Sequence, residues 1–195
     1  MEFLRKLLKK NIPNTPKQSL EKGDNKVVLN DNLSTNQDII LSIEINLNYA
    51  KEFFDSGYQK EKNKDHHGAI QDYSKAIEFN PNYEEAYYFR GFSKVNLKDY
   101  QSAIQDFNKA IEIEPNYGNP YYYRAISKMN IEDYLGAIQD FNMVIDDLPN
   151  PADAFYNRGL SKGMLKDHAG AYNDLMKAGE LGHKQAYLDL KALYL

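Results

Sequence analysis

The side chains that could do chemistry are few and stand in rows. None of the 195 residues is cysteine, which removes thiolate nucleophiles, thiolate metal sites and disulfides together. His66 and His168 fall in a repeating column that holds Tyr100 and Tyr134 elsewhere, and His67 follows His66 directly. No carboxylate pair or third ligand lies beside them in sequence, so they read as turn-packing residues rather than ligands or bases. Ser93, Ser127 and Ser161 recur as a column of small residues inside helical segments, which is a packing role rather than nucleophile placement. A glycine-rich phosphate loop is missing too. The expectation is no catalytic residue, no metal and no cofactor, hence no enzyme.

A charged set has a clear period: Arg90, Arg124 and Arg158, with Asp72, Asp106, Asp140 and Asp174. Each arginine follows an aspartate by 18 residues (72 to 90, 106 to 124, 140 to 158). This spacing predicts structural ion pairs in which each arginine reaches back to the aspartate of the unit before it. Ser56 takes the arginine's place in the first unit, which has nothing before it to reach. The other use of such a row is capture of an acidic ligand.

The elements that position these rows repeat every 34 residues. Pro81, Pro115 and Pro149 keep that period, as do Ala69, Ala103, Ala137 and Ala171 and the four aspartates. Within a unit, Tyr87 and Gly91 are four apart, Ala103 and Phe107 four, and Phe107 and Ala110 three, the spacing of an amphipathic helix face. Asp99 and Asp133 stand where a second helix would start, and an aspartate there accepts orphan backbone N–H groups. Pro115 and Pro149 are expected to end the second helices. The unit is a helix–turn–helix, repeated over 50–83, 84–117, 118–151 and 152–185, which makes the fold all-α.

Composition narrows the partners. The formal net charge is −4. Arg5, Lys6, Lys9, Lys10, Lys17 and Lys22 oppose only Glu2 and Glu21 within residues 1–22, so the remainder is strongly acidic. An acidic body repels phosphate backbones, which argues against nucleic acid. No apolar run reaches the roughly 20 residues of a spanning helix, and the start of the chain is no secretory signal, so a cytoplasmic protein is expected. The 16 tyrosines and 9 phenylalanines follow the repeat.

These columns resemble the tetratricopeptide repeat (TPR) family. The aromatic position is Phe53, Tyr87, Tyr121 and Phe155, and the small residue four later is Gly57, Gly91, Ala125 and Gly159. Then come Ala69-x3-Tyr73, Ala103-x3-Phe107, Ala137-x3-Phe141 and Ala171-x3-Leu175, and the three prolines. The fourth unit is degraded: Leu175 replaces the ring and Gly182 stands where the proline would be, as suits a terminal repeat. The resemblance implies a right-handed superhelical solenoid whose first helices line a concave groove. It carries a partner-binding role onto Phe54, Tyr88, Tyr122 and Tyr156, one turn on to Tyr58, Phe92, Ile126 and Leu160, and then to Asn96, Met129 and Asn130, with Val95 and Met164 on the same face. Exposed rings with a few amides suit docking of a peptide. The positions that clamp an acidic chaperone tail in some family members hold Phe54, Tyr58, Phe89, Asn119 and Tyr123, or one repeat on Tyr88, Phe92, Tyr123, Asp153 and Asn157. None is a cation, so no carboxylate clamp is expected. The implied function is a scaffold or adaptor for another protein, of unspecified oligomeric state.

The ends differ from the repeats. Residues 185–195 read as a capping helix with Tyr187, Leu190, Leu193 and Tyr194 on one face; Leu188 and Leu195 leave a self-association surface as the alternative. Residues 11–49 read mostly as a flexible linker. Ile39, Leu41, Ile43, Ile45 and Leu47 alternate at period two, a strand signal, although a helix running into the first repeat fits nearly as well. Residues 1–10 form a basic segment with Phe3, Leu4, Leu7 and Leu8 on one face. That segment supplies the alternative function, an assembly factor tethered weakly to a membrane surface.

Overall fold

The computed structural model describes residues 36–116 and 118–194. Among them are nine α-helices and no strand: α1 (Asn36–Lys62), α2 (His66–Phe79), α3 (Glu84–Asn96), α4 (Tyr100–Ile113), α5 (Gly118–Asn130), α6 (Tyr134–Val144), α7 (Ala152–Met164), α8 (His168–Glu180) and α9 (Lys184–Tyr194). They stack as consecutive antiparallel hairpins, α1–α2, α3–α4, α5–α6 and α7–α8, with α9 closing the end. The result is an all-α repeat solenoid.

Each hairpin turn is built the same way. Asp65, Asp99, Asp133 and Asp167 cap the second helices, their carboxylates accepting from the N–H groups of Gly68, Ser102, Gly136 and Gly170. This satisfies one of the orphan donors of each helix start. The residue before each cap, Lys64, Lys98, Glu132 or Lys166, lies in the left-handed region at φ 61 to 65°. Four side chains there, none of them glycine, each carry a cost that the turn imposes.

The core lies between the two helices of each hairpin. Ala69, Tyr73, Ala103, Phe107, Ala137, Phe141 and Leu175 are buried. The ring needs a small partner: a Cβ built on Gly91 would lie 2.8 Å from Phe107 Cε1, and one on Gly57 would lie 2.9 Å from Tyr73 Cε1. First helices of neighbouring repeats touch one another (α1–α3, α3–α5, α5–α7), whereas second helices make no comparable approach. The first helices are thus the more closely spaced layer of the stack.

Three expectations are corrected. Of the two readings of residues 39–47, the helix rather than the strand is found: they are part of α1, which also takes in the last part of the stretch expected as linker. Extending an existing helix costs far less than starting one, a lone strand has no ladder partner, and Ile39, Ile43 and Leu47 also fit helical spacing. Pro149 does not end α6, which stops at Val144. Asp146 and Asp147 follow at once, and carboxylates oppose the negative end of the helix dipole. The terminal helix starts at Lys184, where His183 Nδ1 accepts from Ala186 N–H at 3.2 Å. Its Ala186 and Leu190 bury against Leu175 and Ala178, while Tyr187 is exposed by half. The basic segment 1–10 and the linker as far as residue 35 lie outside the described residues. No described helix is long and apolar enough to cross a membrane.

Candidate functional site

The arginine row pairs differently from the spacing argument. Arg90 donates from Nε and Nη2 to Asp106 at 2.9 and 2.7 Å, Arg124 to Asp140 at 2.8 and 2.6 Å, and Arg158 to Asp174 at 2.8 and 2.7 Å. Every pair lies within one repeat. The cause is the antiparallel hairpin: residues equally far from the turn meet, and Lys98, Glu132 and Lys166 are the midpoints of the three pairs. In the first repeat Ser56 Oγ donates to Asp72 at 2.6 Å about Lys64 in the same way, and Lys60 Nζ adds 2.7 Å.

The reach to the preceding repeat exists, but to a different partner. Nη1 of Arg90 donates to Ser74 Oγ at 3.1 Å, that of Arg124 to Asn108 at 2.7 Å, and that of Arg158 to Asn142 at 2.7 Å. Each guanidinium also lies over a ring of its own helix, Tyr87, Tyr121 or Phe155. Lys94, Lys128 and Lys162 complete the aspartates at 2.7 to 2.8 Å. With Nε, Nη1 and Nη2 all engaged and the groups largely buried, the row is a staple between helices and repeats rather than a receptor for an acidic ligand.

The expected groove rings are on one face, but they are not free. Tyr88 is buried, 8% exposed. Phe54, Phe92, Tyr122, Ile126, Met129, Tyr156 and Leu160 are half-buried, while Tyr58, Asn96 and Asn130 are exposed. Two residues outside the expected set, Phe89 and Tyr123, tie the row together. Phe89 meets Phe54 and Tyr58 edge-on at 5.5 Å and Tyr88 at 4.9 Å. Tyr123 meets Tyr88 at 5.9 Å, Phe92 at 5.0 Å and Tyr122 at 5.3 Å. These separations are those of favourable tilted and edge-to-face pairs. Phe89 and Tyr123 are 34 residues apart beside Tyr88 and Tyr122, so a column search could have found them. The flanking repeats put Asp55 and Asn157 there, so the rings fill that column only in the two central repeats.

The amides expected to orient a ligand are used internally. Asn130 Nδ2 donates to Ile126 O at 2.8 Å, and Asn96 Nδ2 to Glu61 Oε1 at 3.1 Å. Glu61 also accepts from Ser93 Oγ and lies 3.0 Å from His66 Nδ1. His66 is therefore more than a turn filler: it is part of a polar lock between the first two repeats. Its carboxylate is five residues earlier across the turn, a partner that adjacency in sequence does not reveal. The carboxylate stands between serine and histidine, whereas nucleophilic catalysis needs the base between serine and carboxylate. Ser93 is fully buried and contacts Phe89 O at 3.0 Å, like Ser127 to Tyr123 O and Ser161 to Asn157 O. Among the described residues no cluster of three histidine or carboxylate groups could hold a metal.

Acidic groups follow the aromatic line. Burial, and then Asp153, pushes the Tyr122 phenol up to about 12. Burial and the nearby Glu85, Asp55 and Glu84 do the same for Tyr83, which sits 5.0 Å from Phe54. At the far end Tyr156 donates to Asp189 Oδ2 at 2.8 Å and stacks on His183 at 3.9 Å; burial and that hydrogen bond push its phenol up to about 12. Tyr156 thus anchors α9 and closes the line at the fourth repeat.

Comparison with known families matches this architecture. The Tetratricopeptide repeat model matches residues 84–117, and a second TPR repeat model matches residues 62–97. Residues 62–117 are thus matched by tetratricopeptide repeat models, and the hairpins on either side continue the same helix–turn–helix stack. Among solved structures, MamA from Desulfovibrio magneticus RS-1 aligns with TM-score 0.67 at 21% identity, covering 74% of this chain and 92% of that one. The first TPR of Spaghetti (RPAP3), bound to the HSP90 peptide SRMEEVD, aligns with TM-score 0.59 at 21% identity over 62% and 95% of the two chains. The Arabidopsis OM64 TPR domain aligns with TM-score 0.54 at 22% identity over 63% and 98%. At these identities the likeness is one of fold. Compared with the curated proteins, the chain matches none.

Proposed function

We propose that this protein is a non-enzymatic scaffold or adaptor that binds a peptide or protein segment along the concave face of its first helices. The observation that carries the reading is the aromatic line across α1, α3 and α5, held together by ring contacts, with Tyr58 37% exposed under the Lys62 ammonium and Phe92 half-buried. Preorganised rings bind at little further cost in entropy. Ile126, Met129 and the exposed Met164 continue it as an apolar strip.

Electrostatics select the ligand. Asp153, Glu84 and Glu85 border the line, and the clamp positions hold rings, amides and an acid. A segment combining aliphatic and basic side chains fits this surface, and an acidic tail of the kind bound by the RPAP3 domain does not. Peptide display against the full chain, followed by NMR shift mapping, tests the reading. Enriched sequences rich in Leu, Ile, Lys and Arg, with shifts at Tyr58, Phe92, Ile126 and Met129, are expected. Shifts confined to the second helices, or enrichment of acidic sequences, overturn it. The membrane-tether alternative rests on residues 1–10 alone, and nothing in the nine helices favours it.

A further inference from the structure

The chain carries its own candidate for this groove. Residues 1–10 hold Arg5, Lys6, Lys9 and Lys10 against Glu2, with Phe3, Leu4, Leu7 and Leu8 on one helical face. That is the basic and aliphatic combination which the acid-bordered aromatic line selects. Asp153 is 71% exposed and lies 3.6 Å from Nε2 of His183, the ring stacked on Tyr156, and Glu84 and Glu85 open α3 directly after Tyr83, whose ring lies 5.0 Å from Phe54. Opposite charges on a partly apolar surface steer and register an incoming segment.

Geometry makes the encounter intramolecular. Residues 11–35 separate the segment from Asn36, the first residue of α1. Twenty-five residues reach at most about 80–90 Å when fully extended. The groove begins 18 residues along α1, at Phe54, which a helical rise puts about 27 Å from Asn36. A tether long enough to cross that separation makes the encounter intramolecular, at an effective concentration up to the order of millimolar. Even an affinity of about 1 mM would then keep the groove substantially occupied.

We propose that Met1–Lys10 is a ligand in cis, docked on the aromatic line between α1 and α5, which an external partner must displace. The proposal rests on the groove reading and narrows it. Its consequence is regulatory: the partner's apparent affinity falls by the fraction of time the groove is filled.

The absence of cysteine allows a direct test. A Glu2→Cys variant of the full chain carries a single nitroxide, and paramagnetic broadening of backbone amides is read by NMR in dilute solution. Strong broadening at Tyr58, Phe92 and Met129, with the second helices unaffected, is expected. Diluting labelled into unlabelled chain should leave the pattern intact. Adding Asp153→Lys and Glu85→Lys should weaken the broadening at least threefold with helicity unchanged, and Leu4→Ser with Leu7→Ser should do the same. Uniform or absent broadening overturns the proposal; the groove reading survives if displayed peptides still map to the first helices. Broadening that moves to unlabelled molecules on mixing assigns the segment to a second copy and overturns docking in cis. Segment signals that change only with anionic vesicles assign it to a membrane and overturn it as well.

Discussion

The staple side and the aromatic side of the same helices obey different rules. On the staple side the Arg–Asp–Lys set recurs in three repeats with contacts of 2.6 to 2.9 Å, and its members never change. On the aromatic side the column next to the groove row runs Asp55, Phe89, Tyr123, Asn157, so among the described residues that column's ring-on-ring contacts recur at the first two junctions and not beyond. The first junction adds Glu61 with His66, Ser93 and Asn96 to its ring contacts, the second rests on its rings, and the end is closed by Tyr156 on His183 and Asp189. Stacking needs the same geometry at every step, so the staple repeats. The aromatic side carries no such constraint, and its residues vary from repeat to repeat.

The comparison can be broken by substitution, and the largest effect should come from the shared core. Phe141→Ala removes a fully buried ring and should cost about 3–5 kcal/mol in urea unfolding. Asp140→Ala should follow, at about 2–4 kcal/mol, because Arg124 and Lys128 lose their common counter-charge in a largely buried place. Arg124→Met should cost less than Asp140→Ala, since Lys128 still neutralises the aspartate. The reverse order would remove the staple's role.

Next comes alkaline titration. Tyr83 and Tyr122 have folded-state values pushed up to about 12, above the unfolded value of about 10. Their neutral form is therefore favoured on folding, a contribution fully present below about pH 10 and lost as pH rises toward about 12. The urea midpoint should fall across that window, and Tyr122→Phe should flatten the fall. Tyr156→Phe should release only the hydrogen bond to Asp189, about 0.5–1.5 kcal/mol, seen as faster amide exchange in α9. Smallest of all, Tyr58→Ser should change stability by less than about 1 kcal/mol while weakening binding of displayed peptides at least fivefold, which sharpens the division between the two faces. Replacing Tyr88 instead would confuse the two, because that ring is core.

Much of the fold was legible in the sequence. The 34-residue period, the aspartate caps, the small residue opposite each core ring and the degraded fourth unit all follow from local spacing. Even the ion-pair register could have been read. Once Lys98 is taken as the turn, antiparallel geometry pairs 90 with 106, whereas the 18-residue count across the repeat boundary ignored the hairpin. The candidate site was less legible. Phe54, Tyr88, Tyr122 and Tyr156 form one column in sequence, but how far each ring is covered depends on Phe89 and Tyr123 for the first three and on His183 and Asp189 for the last. Period two in residues 39–47 misled because isoleucine and leucine satisfy both periods there, and the choice falls to the helix that follows.

By itself, then, the sequence determined the repeat unit, its caps and the face each column occupies, since these depend on contacts within one hairpin. Only the tertiary structure decided which rings are spent on packing, that the arginines are saturated, that Glu61 locks one junction and that α9 closes the line at Tyr156. Those outcomes depend on contacts between repeats, where distance through space is unrelated to distance along the chain.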